Sequence, residues 1–236
     1  MTRPPLPDLE VYPPFNGFPE QGIKFLKQLK KNNNRPWFQT HKSDYEAFVK
    51  LPMQSLVAAL RSEFVQFAPE IEAHPKRSVF RIYRDIRFSK NKAPYKTNVA
   101  AVFHLKGHWQ QSAGYYLNIE PGEAFAGGGV YMPPSDQLRE IRRALVERSE
   151  ELLSIVNDKA FRRRFGELEG DKLQRVPQGY RADHPMAEWL KYKWLYAGVT
   201  WPHEKSFSPN FVHEVAQAYK QVTPLVRFLN NAMRKS

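Results

Sequence analysis

Residues 78–97 read SVFRIYRDIRFSKNKAPYKT, and the rest of the chain is best interpreted outward from them. The stretch starts with apolar residues that favour an extended strand. It then becomes a dense run of cations with Asp85 as its one acid, and the cations are Arg81, Arg84, Arg87, Lys90, Lys92 and Lys96. Such a run repels itself unless negative charge lies nearby. Residues 78–97, called the basic block below, therefore predict either an anion-binding site or a network of internal ion pairs.

The positive charge of the chain is concentrated around this block. The 236 residues carry a formal net charge of +12. Residues 75–107 contain nine lysine and arginine residues against one acid, a net charge of +8. Because most of the excess is local, the sequence favours a focused anion site over a generally basic surface.

Composition excludes several classes of protein. Cysteine is absent, which removes disulfides, thiolate nucleophiles and cysteine-ligated metal centres. The sequence shows no apolar signal segment and no run of apolar residues long enough to span a membrane, so a cytoplasmic location is predicted. An apolar content of 42% supports a substantial core. We predict a proline-rich extended arm over residues 1–16 and a single α+β domain over residues 17–236.

Periodicity predicts helices, then strands, then helices. Apolar residues at helical spacing indicate helices over residues 18–32, from Pro36 and from Pro52, and later over residues 135–156 with Ser135 as the cap. Extended segments separated by turns are predicted between them, over residues 79–83, 98–106, 112–120 and 124–131. This order is typical of an α+β fold, with helices packed on a mainly antiparallel sheet that forms a meander from about residue 78 to 131.

Three consecutive glycines, residues 127–129, interrupt the last strand of this meander. Glycine weakens a strand, so its presence there predicts a bulge or a close approach of the backbone to a ligand or a neighbouring strand. The pattern matches neither the phosphate-binding loop nor the dinucleotide-binding motif.

Alternation along an extended chain would sort the side chains of the basic block. Arg81, Asp85 and Arg87 would then share one face, and Asp85 could hold a neighbouring guanidinium by a two-point hydrogen bond. We predict the following ligand-binding residues: Arg81, Arg84, Asp85, Arg87, Lys92 and Tyr95. Asp85 is also the one candidate for a catalytic base, but a carboxyl among arginines has a lowered pKa, which suits orientation better than proton abstraction.

Other interpretations stay open at this point. The partner predicted first is an anionic small molecule, and whether the protein is an enzyme is left undecided. Cations interleaved with Tyr83, Phe88, Tyr95 and Trp109 could instead follow a nucleic-acid backbone and stack on bases. Alternatively, this is a structural or interaction protein, and the arginines form an internal salt-bridge network with acids elsewhere in the fold. His104 and His108 lack a third ligand, so no metal is predicted, and no cofactor motif is present. The aromatic pair Trp37 and Phe38 is expected in the core, with a pocket wall beside Asn33 and Arg35 as the alternative.

The block also resembles a motif, Arg-x-x-Arg-Asp-x-Arg-Phe followed after three residues by Lys-x-x-Tyr. The matching residues are Arg81, Arg84, Asp85, Arg87, Phe88, Lys92 and Tyr95. In this motif the chain is similar to a bacterial and fungal family of uncharacterised conserved proteins of about this length, a domain of unknown function. The resemblance implies no mechanism, because that family has no established activity. Asn91 stands where the family commonly has an aspartate, which weakens a metal or acid–base interpretation.

Overall fold

The computed structural model describes residues 11–87, 89–108 and 112–234. Most of the predicted N-terminal arm therefore lies outside the described residues, and residues 11–16 contain neither helix nor strand. Phe88 and Trp109, two of the four aromatic residues of the nucleic-acid interpretation, also lie outside them.

The N-terminal part is helical, as its apolar spacing predicts. The helices are α1 (Glu20–Lys31), α2 (Arg35–Thr40), α3 (Lys42–Tyr45), a π-helical segment (Glu46–Lys50) and α4 (Leu51–Phe67). Helix α1 buries the face that carries Ile23, Phe25, Leu26 and Leu29. Helix α2 begins because the side chain of Asn34 accepts a hydrogen bond from the Trp37 backbone nitrogen, and Pro36 occupies its first turn.

A five-stranded antiparallel sheet forms the other half of the architecture. Its strands are β1 (Ile71–Glu72), β2 (Val99–Leu105), β3 (Gly114–Glu120), β4 (Glu123–Val130) and β5 (Leu195–Pro202). Neighbours in the sheet follow chain order, β1-β2-β3-β4-β5, which makes it a meander. The α+β class predicted from the sequence is confirmed.

The sheet begins earlier than the apolar pattern indicated. Pro75–Ser78 form a short helix, α5, and residues 79–83 join the sheet through single bridges instead of a regular strand. The side chain of His74 accepts a hydrogen bond from the Lys76 backbone nitrogen and Pro75 occupies the first turn, so this turn has the caps that a helix needs.

The C-terminal half returns to helices. They are α6 (Ser135–Glu147), α7 (Ser149–Val156), α8 (Lys159–Phe165), α9 (Ala187–Leu190), a 3-10 turn (His203–Phe207) and α10 (Phe211–Met233). The single helix predicted over residues 135–156 was wrong, because the backbone at Arg148 leaves the helical conformation. Ser135 is the first helical residue, and Pro134 holds the capping position. Within the described residues, no helix is both long and apolar enough to cross a membrane.

The chain groups into two compact units. The first contains the described parts of residues 1–103, with 116–125 and 200–216, and the basic block lies within it. The second contains the described parts of residues 104–115, 126–199 and 217–236. In the first unit, Phe64 of α4 packs on Phe103 of β2, with ring centroids 5.2 Å apart. In the second, Tyr115 of β3 shares a buried 3.0 Å hydrogen bond with Thr223 of α10. The prediction of a single domain stays a prediction.

The three glycines of β4 allow close approach to a neighbouring strand, one of the two reasons predicted for them. At Gly129, where φ is 155°, a Cβ atom would lie 2.5 Å from Cα of Tyr196 in β5. At Gly128, a Cβ atom would lie 2.7 Å from a methyl carbon of Val222 in α10. Glycine at these positions therefore lets β5 and α10 pack directly on the β4 backbone.

Replacing Gly129 by alanine is expected to lower the free energy of unfolding by about 3 kcal/mol or more, because the methyl group would collide with backbone that cannot move alone. Gly122→Ala is the matched control, since Gly122 also has a positive φ, 114°, but has no atom within 4 Å of its Cβ position. The control should lose about 1 kcal/mol, from backbone strain alone. Urea denaturation measures both losses, and equal losses would contradict the packing of β4 on β5.

Candidate anion-binding site

Backbone hydrogen bonds fold the basic block back on itself. The Arg84 nitrogen donates to the Pro94 carbonyl at 2.9 Å, and the Lys96 nitrogen donates to the Ile82 carbonyl at 2.8 Å. Tyr83 and Tyr95 form an antiparallel bridge between these bonds. Residues 79–84 therefore pair with residues 94–101, and residues 85–87 and 89–93 are the described part of the tip of a hairpin.

Exposure along the first arm of this hairpin alternates, as expected for an extended chain. Arg81, Tyr83, Asp85 and Arg87 are exposed, and the residues between them are buried or half-buried. Ile82 is buried in the core. Three predicted site residues, Arg81, Asp85 and Arg87, thus share one face, with the half-exposed ring of Tyr83 among them.

Asp85 holds Arg87 in the two-point arrangement that the sequence suggested. Nε of Arg87 donates to Oδ1 of Asp85 at 3.0 Å, and Nη2 donates to Oδ2 at 2.7 Å. The hydrogen bonds from Arg87 lower the pKa of Asp85 to about 2. The same pair raises the pKa of Arg87. A carboxylate this acidic is a weak base at neutral pH, so the arrangement orients Arg87 and does not favour proton abstraction.

Two other predicted ligand residues bond to the backbone of the hairpin tip. Nη1 of Arg84 donates to the Ala93 carbonyl at 3.1 Å. Nζ of Lys92 donates to the Ile86 carbonyl at 3.0 Å. Asn91 accepts a hydrogen bond from the Ala93 nitrogen at 2.9 Å. These contacts give Arg84 and Lys92 a role in the shape of the tip, whatever they bind in addition.

Tyr95, also predicted to line the site, lies in the aromatic core beneath the hairpin. Its ring is 2% exposed and stacks on Phe38, with centroids 4.2 Å apart. Tyr83 packs on the same ring from the hairpin, at 5.5 Å. Burial raises the pKa of Tyr95, and burial raises the pKa of the adjacent Tyr45 to about 12. Both hydroxyls therefore stay protonated at neutral pH.

Asn33 fastens the hairpin to the helical part. Its side-chain nitrogen donates to the Tyr95 carbonyl at 3.0 Å, and its side-chain oxygen accepts from the Tyr95 nitrogen at 3.0 Å. The amide thus imitates a strand partner at a position where the hairpin has no further strand. Sequence reasoning placed Asn33 beside a candidate pocket wall but did not find this contact, since a bond across 62 residues leaves no local pattern.

Arg81 and Arg35 differ from the other cations of this region. Both are exposed, and neither guanidinium forms a hydrogen bond or an ion pair with any residue in the described ranges. Arg81 favours the ionised form of Asp85, and Arg35 favours ionisation of Tyr95, so both lie close to the hairpin. Lys96, by contrast, rests over the ring of Phe80 at 4.7 Å, and burial lowers its pKa.

The arrangement offers no metal centre in the described part of the chain, where no three histidine or acidic side chains gather in a way that could hold an ion. His104 lies in β2 with Nδ1 3.5 Å from the Ser112 hydroxyl, and burial lowers its pKa. The geometry of the basic block is therefore that of exposed donors on a braced hairpin.

A sequence model of the family described as conserved hypothetical protein (DUF2461) matches residues 21–228. The chain belongs to this family. The matched region includes the whole basic block and Asn33, so the hairpin and its fastening lie within the DUF2461 domain. A comparison with curated proteins gives no match. The description of DUF2461 names no activity, so function has to be argued from the site.

Asn33→Ala is expected to destabilise this DUF2461 protein by about 2–3 kcal/mol, because it leaves the Tyr95 nitrogen and carbonyl without partners in a partly buried position. Asn32→Ala is the neighbouring control. Among the described residues, the side chain of Asn32 bonds to the Gln28 carbonyl of its own helix alone, in an exposed position, so its loss should cost less than about 1 kcal/mol. Chemical denaturation compares the two variants, and an Asn33→Ala variant as stable as the control would exclude the fastening role.

Asp85 is expected to titrate near pH 2 in a carbon-13 NMR titration of the side-chain carboxyl. In Arg87→Ala its pKa should rise toward the ordinary value of about 3.9, because both hydrogen bonds are lost. Since the folded pKa is the lower one, the pair stabilises the fold above the ordinary pKa, and this contribution is lost as the pH falls toward 2.

Arg181→Ala is the control for this titration. Arg181 and Asp183 form the same exposed two-point contact two residues apart, so the variant should raise the pKa of Asp183 and leave that of Asp85 unchanged. An ordinary pKa for Asp85 in the unmodified protein would show that the pair does not form in solution.

Proposed function

We propose that the basic block of this cytoplasmic protein binds a ligand that carries a phosphate or carboxylate group, with Arg81 as the principal contact. The proposal rests on the exposure of Arg81 and on the contacts of its side chain. It is exposed on the hairpin and makes no side-chain hydrogen bond or ion pair among the described residues, whereas Arg84, Arg87 and Lys92 all have protein partners. A guanidinium can donate two parallel hydrogen bonds to a pair of oxygens of either group.

Arg87 supplies the second contact in this proposal. Asp85 occupies one edge of its guanidinium, and the side chain of Arg87 remains 77% exposed. The contact limits the rotamers of a long side chain, so less conformational entropy is lost when a ligand binds. Asp85 acts here as a positioning residue.

Arg84 and Lys92 contribute to binding mainly through the shape of the hairpin tip. Both donate to backbone carbonyls, and Arg84 also donates to the Ser89 hydroxyl at 3.5 Å; these acceptors carry no formal charge. Both cations therefore keep the local potential positive while they hold the loop. A salt-bridge network, the third interpretation of the sequence, does not describe these contacts, because their acceptors are neutral. A chemical reaction is not part of the proposal.

A nucleic acid is the second candidate, and Tyr83 is the observation that favours it. Its ring is 48% exposed on the same face as Arg81 and Arg87. An aromatic ring between cations can stack on a base while the cations contact phosphates. In that case the ligand groups would be backbone phosphates, and affinity would depend steeply on salt.

Binding is tested by NMR chemical-shift titration with inorganic phosphate, with citrate and with a short single-stranded oligonucleotide. Arg81→Ala should weaken binding of these probes by about tenfold or more, since a charge-assisted hydrogen bond is lost. Its thermal stability without ligand should stay unchanged, because Arg81 has no partner among the described residues. Arg84→Ala should instead lower thermal stability, because the Ala93 carbonyl loses its donor.

Arg181→Ala is the control for a nonspecific effect of charge, because Arg181 is an exposed arginine outside the block. Equal affinity in wild type and Arg81→Ala, or an equal loss in Arg181→Ala, contradicts the proposal. Salt separates the two candidates: the logarithm of affinity for single strands should fall by about 0.7 per logarithmic unit of salt for each phosphate contacted. A preference for phosphate or citrate over the oligonucleotide identifies a small-molecule site.

A further inference from the structure

A cavity lies in the second compact unit, and none of its lining residues belongs to the basic block. Its volume is about 210 Å³, and it is lined by residues from the end of α7 and from α8 and α9, and by residues that follow these two helices. The lining residues used below are Arg162, Glu167, Leu168, Lys172, Trp189 and Tyr192. Sites for drug-sized ligands occupy roughly 300–1,000 Å³. The cavity therefore suits a smaller molecule, of the size of an amino acid.

Opposite charges line this cavity without meeting. Arg162 and Glu167 both lie on its wall, and neither forms an ion pair or a side-chain hydrogen bond with any residue in the described ranges. Lys172 lies over the ring of Tyr192, with Nζ 4.5 Å from the ring centroid, and makes no ion pair there. Glu188, also on the wall, is held by Lys191 at 2.5 Å. Lys172 is close enough to Glu188 to favour its ionised form, without forming an ion pair with it. Arg162, Lys172 and Glu167 are thus the charged groups available to a ligand.

The walls that carry these charges are fixed by the backbone. Asp158 caps α8 through the Ala160 and Phe161 nitrogens, and Gly166 ends the helix with a φ of 71°. The Tyr192 hydroxyl donates to the Leu168 carbonyl at 2.8 Å in the core. An antiparallel bridge joins Lys172 to Tyr192. Arg162 and Glu167 therefore come from the two sides of a defined helix end, and the rings beside them are held in place.

We propose that this cavity binds a small zwitterion with an apolar side chain, an amino acid or a close analogue. Arg162 and Lys172 contact its carboxylate, since a guanidinium and an ammonium both donate to such oxygens. Glu167 accepts from its ammonium group. Leu168, Trp189 and Tyr192 supply the apolar and aromatic surface on which the side chain packs. The ligand bridges two charges that the protein itself leaves apart.

The proposal is tested by isothermal titration calorimetry of the full-length protein with L-phenylalanine, L-leucine and glycine. Phenethylamine, which lacks the carboxylate, and 3-phenylpropionate, which lacks the ammonium group, are the matched probes. L-phenylalanine and L-leucine should bind at micromolar to millimolar concentration, and each analogue should bind about tenfold more weakly, since each loses a charge-assisted contact. Glycine should also bind more weakly, because it buries no side chain.

Variants assign the two charges separately. Arg162→Ala should weaken the binding of L-phenylalanine and of 3-phenylpropionate but leave the binding of phenethylamine unchanged. Glu167→Gln should weaken the binding of L-phenylalanine and of phenethylamine but leave the binding of 3-phenylpropionate unchanged. Arg163→Ala is the control on the same helix, because Arg163 is exposed and does not line the cavity. No saturable heat with any amino acid, or equal losses in Arg162→Ala and Arg163→Ala, overturns the proposal.

If the cavity binds no amino acid, the proposal for the basic block still stands, because the two sites share no residue. Arg81→Ala should leave binding of L-phenylalanine unchanged, and a loss of that binding in Arg81→Ala would also contradict the proposed cavity site.

Discussion

Backbone pairing between residues 79–84 and 94–101 is the constraint on which the candidate site depends. The hydrogen bonds of Arg84 to Pro94 and of Lys96 to Ile82 keep this arm extended, and side chains alternate along an extended chain. Arg81 therefore points outward because Ile82 points into the core. A slip of one residue would bury the cations and expose the apolar side chains, so the cost of such a slip protects the site.

The aromatic side chains beneath the hairpin hold the paired backbone against the helical part. Tyr95 stacks on Phe38, and Tyr83 packs on Tyr95 from the exposed side. The side chain of Asn33 satisfies both backbone groups of Tyr95, so the hairpin reaches the helical part without leaving polar groups unpaired. The site thus consists of exposed charges above a packed layer, and a substitution on the surface can change binding without disturbing the core.

The features of the site that could be predicted from the sequence are those that depend on residues a few positions apart. The alternation in the block and the reach of Asp85 to Arg87 span only a few residues, so the sequence order determines them. The strand predicted at residues 79–83 appears as single bridges, because the caps at His74 and Pro75 turn the preceding residues into helix α5. The hydrogen bonds of Asn33 connect residues far apart in sequence, and the cavity of the second unit is lined by such residues. Apolar periodicity gives no signal for such contacts.

The same cations can hold the hairpin tip and attract an anion, because a hydrogen bond to a neutral acceptor does not cancel the charge of the donor. Arg84 and Lys92 donate to carbonyls, which satisfy their hydrogen bonds and leave their charges intact. Residues 75–107 contain one acid, Asp85, against nine cations. Its contact with Arg87 is exposed, where water and salt already weaken a charge pair. Arg77, just before the basic block, is paired with Glu72. Arg84 and Lys92 form no ion pair among the described residues, so the fold orders these two cations without neutralising them. The positive potential that remains is what an anion arriving from solution would meet.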